Sequence, residues 1–158
     1  RDDGIKPEIE TLDSSFFDKV FTNYATIAEE NEKGFTAQNQ VGRSIKTDKT
    51  LLKQLMTILF DNAIKYTEDD GQVPLTVRTN DRHLYITVAD NGPGIADEDK
   101  KKIFDRFYRV DKDRTRQKGG FGLGLSLAQQ IVLALKGTII VKDNQPKGTI
   151  FEVKITGV

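Results

Sequence analysis

Among the 158 residues there is no cysteine, no tryptophan, one histidine (His83) and one methionine. Without cysteine there is no disulfide framework, which points to a cytoplasmic or redox-indifferent setting. A single histidine excludes any multi-histidine metal centre. There is no excess of charge either: 24 Lys plus Arg stand against 24 Asp plus Glu. The broad field that non-specific nucleic-acid binding relies on is therefore missing, so no nucleic-acid partner is expected. No apolar run approaches the roughly 20 residues of a membrane span. The start, RDDGIKPEIE, lacks the basic opening and apolar stretch of a signal peptide. A chain of this length can bury roughly 70% of its unfolded surface, enough for one core without metal or disulfide support.

What is present is periodic. Residues 5–12 read as a short strand, and Asp13 and Ser14 offer cap oxygens to a helix running to about Lys33, with Gly34 as its stop. Phe16, Phe17, Val20, Phe21, Tyr24, Ile27 and Ala28 fall on one face of that helix. Residues 35–41 alternate as a modest strand. A second helix starts near Thr47 or Asp48, carries Leu51, Leu52, Leu55, Met56, Leu59 and Ala63 on one stripe, and stops near Thr67. Residues 73–79 and 83–90 alternate with period two about Asn80-Asp81 and read as a hairpin. A charged segment with a short helical stretch follows, then a glycine-rich run. A third helix, closed by Gly137, and two final strands, 137–143 and 148–155, complete the chain. Alternating strands with one wet face place the helices on the other. The expected fold is a single α/β (α+β) domain over residues 1–158. It is a two-layer sandwich with a mixed, largely antiparallel sheet and about three main helices on one face.

Four stretches carry chemistry. In ILFDNAIKY, at the end of the second helix, Asn62, Lys65 and Tyr66 are spaced i, i+3 and i+4, so a carboxamide, an ammonium and a ring share a face. They suit Mg2+, phosphate and a base respectively, and equally a solvated helix end. In DNGPGI, Asp90 ends an apolar strand where its carboxylate can accept from an exocyclic amine, while Gly92 and Gly94 admit a flat ligand; an ordinary turn reads the same way. In KGGFGLGLSL, Gly119, Gly120, Gly122 and Gly124 open a helix whose free N–H groups can cradle phosphate, or form a plain loop entry. The run matches neither the Walker A loop nor the dinucleotide fingerprint. Between the last two, residues 106–118 hold six bases (Arg106, Arg109, Lys112, Arg114, Arg116, Lys118) and two acids (Asp111, Asp113), a local net of +4. That suits a cationic lid anchored by Ile103, Phe104 and Phe107, or a solvated loop.

In order and spacing these stretches closely resemble the N, G1, F and G2 boxes of the ATP-binding catalytic domain of bacterial sensor histidine kinases, in the Bergerat-fold superfamily of gyrase and heat-shock-chaperone ATPases. DNAIKY, DNGPGI, IFDRFYR and GGFGLGL are the matching segments, within roughly residues 35–156. The resemblance implies ATP and Mg2+ as cofactors. It implies that Asn62 holds Mg2+, Lys65 and Arg109 reach phosphate, Tyr66 lies by the adenine and Asp90 takes its amine. Gly92, Gly94 and Ile95 would shape that pocket, and Gly120, Gly122 and Gly124 with the amides of Leu123 and Leu125 would wrap the phosphate tail. It further implies phosphoryl transfer to a histidine on a dimerisation domain of the same protein, then to a response regulator. The chain would be a cytoplasmic piece without its own membrane contact, beginning just after the dimerisation helices of a parent anchored in the bacterial cell membrane. A Bergerat-fold ATPase, an anti-sigma-type Ser/Thr kinase and a non-catalytic docking module are the alternatives.

The sequence departs from that pattern in two respects. Four residues before Asn62, where these kinases often carry Asn and the superfamily's hydrolases an acid, stands Ile58, which cannot act as a general base. His83, in NDRHLY, lacks the neighbours of a phosphoacceptor box and reads as the start of a surface strand.

Overall fold

The structure, a computed structural model, describes residues 5–106, 108 and 122–158. Its elements run β1 (Glu10–Leu12), α1 (Ser14–Glu30), β2 (Gly34–Gln40), β3 (Ile45–Thr47), α2 (Lys49–Tyr66), β4 (Gln72–Thr79), β5 (His83–Asp90), α3 (Asp97–Lys100), α4 (Gly122–Ala134), β6 (Gly137–Asp143) and β7 (Thr149–Thr156). Five strands form one sheet in the order β2-β4-β5-β7-β6, and β1 pairs with β3 in a separate ribbon. Only β2–β4 is parallel; the rest of the sheet is antiparallel, as the alternation predicts.

One face of the sheet is dry. Val73, Leu75 and Val77 of β4, Leu84, Ile86 and Val88 of β5, and Phe151, Val153 and Ile155 of β7 are all buried. The opposite face carries Arg78 stacked 4.0 Å over the Tyr85 ring and the ion pair Lys142–Glu152 at 2.8 Å. The main helices cover the apolar face, giving the two-layer α/β sandwich that binary patterning implies. Three rings lock α1, β2 and α2 together: Tyr24 stacks on Phe60 at 4.1 Å, and Phe35 meets both edge-on. The Tyr24 hydroxyl shares a 2.7 Å hydrogen bond with Thr57, and burial pushes its pKa up to about 12.

Several elements differ from the sequence reading. The first strand shrinks to Glu10–Leu12, because Pro7 has no N–H and the Glu8 N–H donates to the Asp48 carboxylate at 2.8 Å instead of to a ladder. β3 was not anticipated; three residues are too few to show a period. α1 ends at Glu30, and its left-handed turn falls on Glu32 (φ 59°), while Gly34 already belongs to β2. Lys136 (φ 64°), not Gly137, reverses the chain after α4. Gly137 is needed for a different reason: a Cβ there would lie 2.4 Å from the Lys154 carbonyl across the sheet.

Asp48 does begin α2: its side chain accepts the Leu51 N–H at 2.9 Å, and the same carboxylate holds Glu8. Because Phe60 is fully buried within the aromatic trio, Phe60→Ala is expected to lower the unfolding free energy by about 3–5 kcal/mol. Ile140→Ala, on the wet face, should change it by no more than about 0.5 kcal/mol. Urea denaturation of the two variants checks the contrast.

Candidate functional site: the wall of α2 and the end of β5

The C-terminal half of α2 forms a wall that the other segments approach. At its end, Tyr66 is buried and its carbonyl faces Gly92 so closely that a Cβ on Gly92 would sit 2.2 Å away. Only glycine allows the DNG turn this position. One helical turn earlier, Asn62 is 8% exposed and donates from Nδ2 to the Ile58 carbonyl at 3.0 Å. Its amide lies toward the start of α4: a Cβ on Gly124 would come 4.0 Å from Nδ2 and 3.7 Å from the Ile58 side chain. Tyr66 and Asn62 therefore mark two places along one helix about 6 Å apart by rise. One abuts the DNG turn and the other the glycine-rich entry to α4. Lys65 is exposed on the last turn of α2, and burial raises the Asp61 carboxyl pKa against the opposing pull of Lys65.

Asp90 closes β5 and is 6% exposed. Its Oδ1 accepts the Gly92 N–H at 2.8 Å and, across the sheet, the Thr149 N–H at 3.3 Å. Both bonds fall on the same oxygen, and Oδ2 has no hydrogen bond among the described residues. Burial pushes the carboxyl from its ordinary 3.8 to about 6, outweighing the two N–H groups that pull it down.

The neighbouring segments are cross-tied. The Glu68 N–H donates to Asn91 Oδ1 at 3.2 Å, and the Asn91 N–H to Thr67 at 3.4 Å. Asn144 donates to the Asp90 carbonyl at 2.8 Å, and Lys147 pairs with Glu68. Lys100 joins α3 to β6, reaching the Ile95 carbonyl at 2.9 Å, Asp97 at 2.6 Å and Asp143 at 2.9 Å. Gly94 adopts φ 81° and Ile95 is buried in the core.

The structure thus brings Asn62, Tyr66, Asp90, Gly92 and Gly124 around α2, with Gly94 and Ile95 in the adjoining turn. Leu125 is buried at the start of α4, and Gly122 and Leu123 form that helix's first turn. Arg109, Gly120 and most of the cationic segment lie outside the described residues. Sequence reading did not point to Asn144, Gly148 or Thr149. The signal available was the register of the last strand, since Thr149 pairs with Asp90. His83 stands at the other end of β5, about 23 Å from Asp90 by strand rise, with its ring beside Asn80 and Tyr85.

Among the described residues, no group of three His, Cys, Asp or Glu could hold a metal. Any cation here would draw on one or two protein oxygens plus ligands it brings, the habit of Mg2+ on a polyphosphate. Asn62 fits that role, because its Nδ2 is already engaged and its oxygen is the remaining polar atom.

Residues 47–157 match the family of histidine kinase-, DNA gyrase B-, and HSP90-like ATPases. The chain belongs to that family, and the relatives it matches include a sensor protein and a signal transduction histidine-protein kinase. It is 68% identical to the sensor protein CiaH of Streptococcus pneumoniae serotype 4 over 98% of its own length. It is 44% identical to the kinase ArlS of Staphylococcus aureus over 69% of its length. The chain spans about a third of CiaH (35%) and 24% of ArlS. Full-length ShkA solved in complex with AMPPNP superposes with a TM-score of 0.81 at 26% identity, over 98% of this chain and 32% of that one. The mycobacterial sensor histidine kinase MprB gives 0.74 at 26% identity, over 95% and 98%.

The buried carboxylate has a testable signature. The folded chain holds the Asp90 proton up to about pH 6, whereas the unfolded chain releases it near 3.8. Between those values the native state binds more protons, so Asp90 makes stability fall as pH rises, with the full cost present above about pH 6. The unfolding free energy of the wild-type chain minus that of Asp90→Asn should therefore decline by on the order of 2–3 kcal/mol across this window. Denaturation of both proteins at a series of pH values would read it; a flat difference would mean that Asp90 titrates as a solvated carboxyl.

Proposed function

We propose that this chain binds Mg-ATP along the α2 wall and delivers the γ-phosphoryl group to a histidine on the dimerisation domain of its parent kinase, which passes it to a response regulator. The observation that carries the reading is Asp90: a buried carboxylate with one oxygen held by two N–H groups and the other without a partner among the described residues. Such an oxygen suits the exocyclic amine of adenine. Gly92 opens the space beside it, Gly94 and Ile95 shape the pocket, and Tyr66 flanks the base. Toward the other end, Asn62 would hold Mg2+ and Lys65 would meet phosphate. The amides around Gly122, Leu123, Gly124 and Leu125 lie at a helix N-terminus suited to anions. Arg109 and Gly120 are assigned to the phosphates by sequence likeness alone.

Bound Mg2+ supplies charge neutralisation on the phosphates. The chain's own residues position the nucleotide so that an imidazole nitrogen attacks the γ-phosphorus, the bond to the β–γ bridging oxygen breaks, and ADP leaves. Ile58 supports transfer over hydrolysis. Its side chain packs toward Gly124 and its carbonyl is taken by Asn62, so among the described residues that helix position offers no base to activate water. We assign the acceptor to another domain because His83 starts a surface strand and lacks the neighbours of a phosphoacceptor box. ThkA, a kinase of the same fold, has been solved in complex with the response regulator TrrA, which supports the final partner. No helix of the described residues is long and apolar enough to cross a membrane; we place this domain in the cytoplasm, with membrane anchorage left to the rest of the parent.

Calorimetry should show Mg-ATP binding that Asn62→Asp or Asp90→Asn abolishes. Mixing the chain with a separately made dimerisation domain and labelled ATP should yield acid-labile, base-stable phosphate on that domain. Unaltered affinity in both variants, or steady ATP hydrolysis by the chain alone, would overturn the proposal.

A further inference from the structure

The loop between β6 and β7 meets Asp90 at three points. Asn144 Nδ2 donates to the Asp90 main-chain carbonyl at 2.8 Å. Gly148, at φ 113°, backs onto that same carbonyl, where a Cβ would sit 2.0 Å away. The Thr149 N–H reaches the carboxylate itself. Asn144 also closes its own loop: its N–H donates to the Gly148 carbonyl at 3.0 Å, and its Oδ1 accepts the Gln145 N–H at 2.9 Å. One carboxamide thus couples the loop's shape to the backbone at the end of β5. Lys100, bound to both Ile95 and Asp143, ties the turn after Asp90 to the strand entering this loop.

From this geometry we infer that Asn144 is a positioning residue for base selection: by holding the Asp90 carbonyl it fixes the direction in which the second carboxylate oxygen, without a partner among the described residues, faces an exocyclic amine. The inference rests on the reading of Asp90 given above and deepens it. A hydrogen bond from an amine to a carboxylate weakens steeply off line. A keto oxygen in the amine's place would meet the carboxylate as acceptor against acceptor, whatever its angle. Loss of aim therefore reduces affinity for a 6-amino base and leaves a 6-keto base nearly unaffected, which is how a site built around one hydrogen bond loses selectivity.

The test is calorimetric titration of the 158-residue chain with Mg-ATP and with Mg-ITP, whose base carries oxygen in place of the amino group. Asn144→Asp keeps the acceptor for the Gln145 N–H and removes the donor to Asp90; Asn144→Ala removes the donor without adding charge. Wild type should prefer ATP. Both variants should lose roughly tenfold in ATP affinity, the scale of one hydrogen bond, with ITP affinity changed less than about twofold, so that the ratio collapses. A wild-type preference for ATP that survives in both variants, or ATP and ITP affinities that fall together in Asn144→Ala, would overturn the role of Asn144 and leave Asp90 standing. A wild-type chain that binds both nucleotides equally would overturn the Asp90 reading, and this one with it.

Discussion

Nine of the eighteen residues of α2 are buried, and what they touch decides where nearly everything else goes. Burying side chains the size of Leu52, Leu55, Met56, Leu59 and Phe60 is worth roughly 1.5–3 kcal/mol each. No surface ion pair among the described residues competes with that. The helix is consequently fixed in rotation about its axis. Once Leu59 and Phe60 face the core, Asn62 must face α4 and Tyr66 must end against the DNG turn. The site is a by-product of the same packing that stabilises the fold, since its polar residues occupy the one edge of the stripe that the core does not use.

Against that rigid wall, Asp90 is an expense. A carboxylate placed where burial lifts its pKa to about 6 is less stable near neutral pH than it would be in water. Two N–H groups offset only part of the cost. Such arrangements occur where a group must be ready for a partner that solvent would otherwise replace. The glycines beside it allow close backbone packing: a side chain on Gly92 would run into the Tyr66 carbonyl, and one on Gly148 into the Asp90 main-chain carbonyl.

The sequence displayed the long elements because each repeats a period many times over. The stripe of α2 and the alternation of β4 and β5 are of this kind, and the Asn80 turn between those strands is held by its own side chain, which accepts the Arg82 and His83 N–H groups. Among the short elements β3 was not legible, and β1 was anticipated only within a longer strand over residues 5–12; the two hold each other by pairing, which neither shows on its own. Glycine proved a poor stop signal, since Gly34 and Gly137 both open strands while Glu32 and Lys136 take the left-handed turns. The motif residues Asn62, Asp90 and Gly92 were visible by type and spacing. Their partners Asn144 and Thr149 were not, because they arrive from 54 and 59 positions away along the chain.

The strand β5 has a further consequence. It presents a carboxylate at one end and the chain's sole imidazole at the other, joined by a stiff rod of paired backbone. On the proposed reading, the strand holds the base-binding end of the site about 23 Å by strand rise from that imidazole, so the ring does not share the pocket in which the adenine amine would sit.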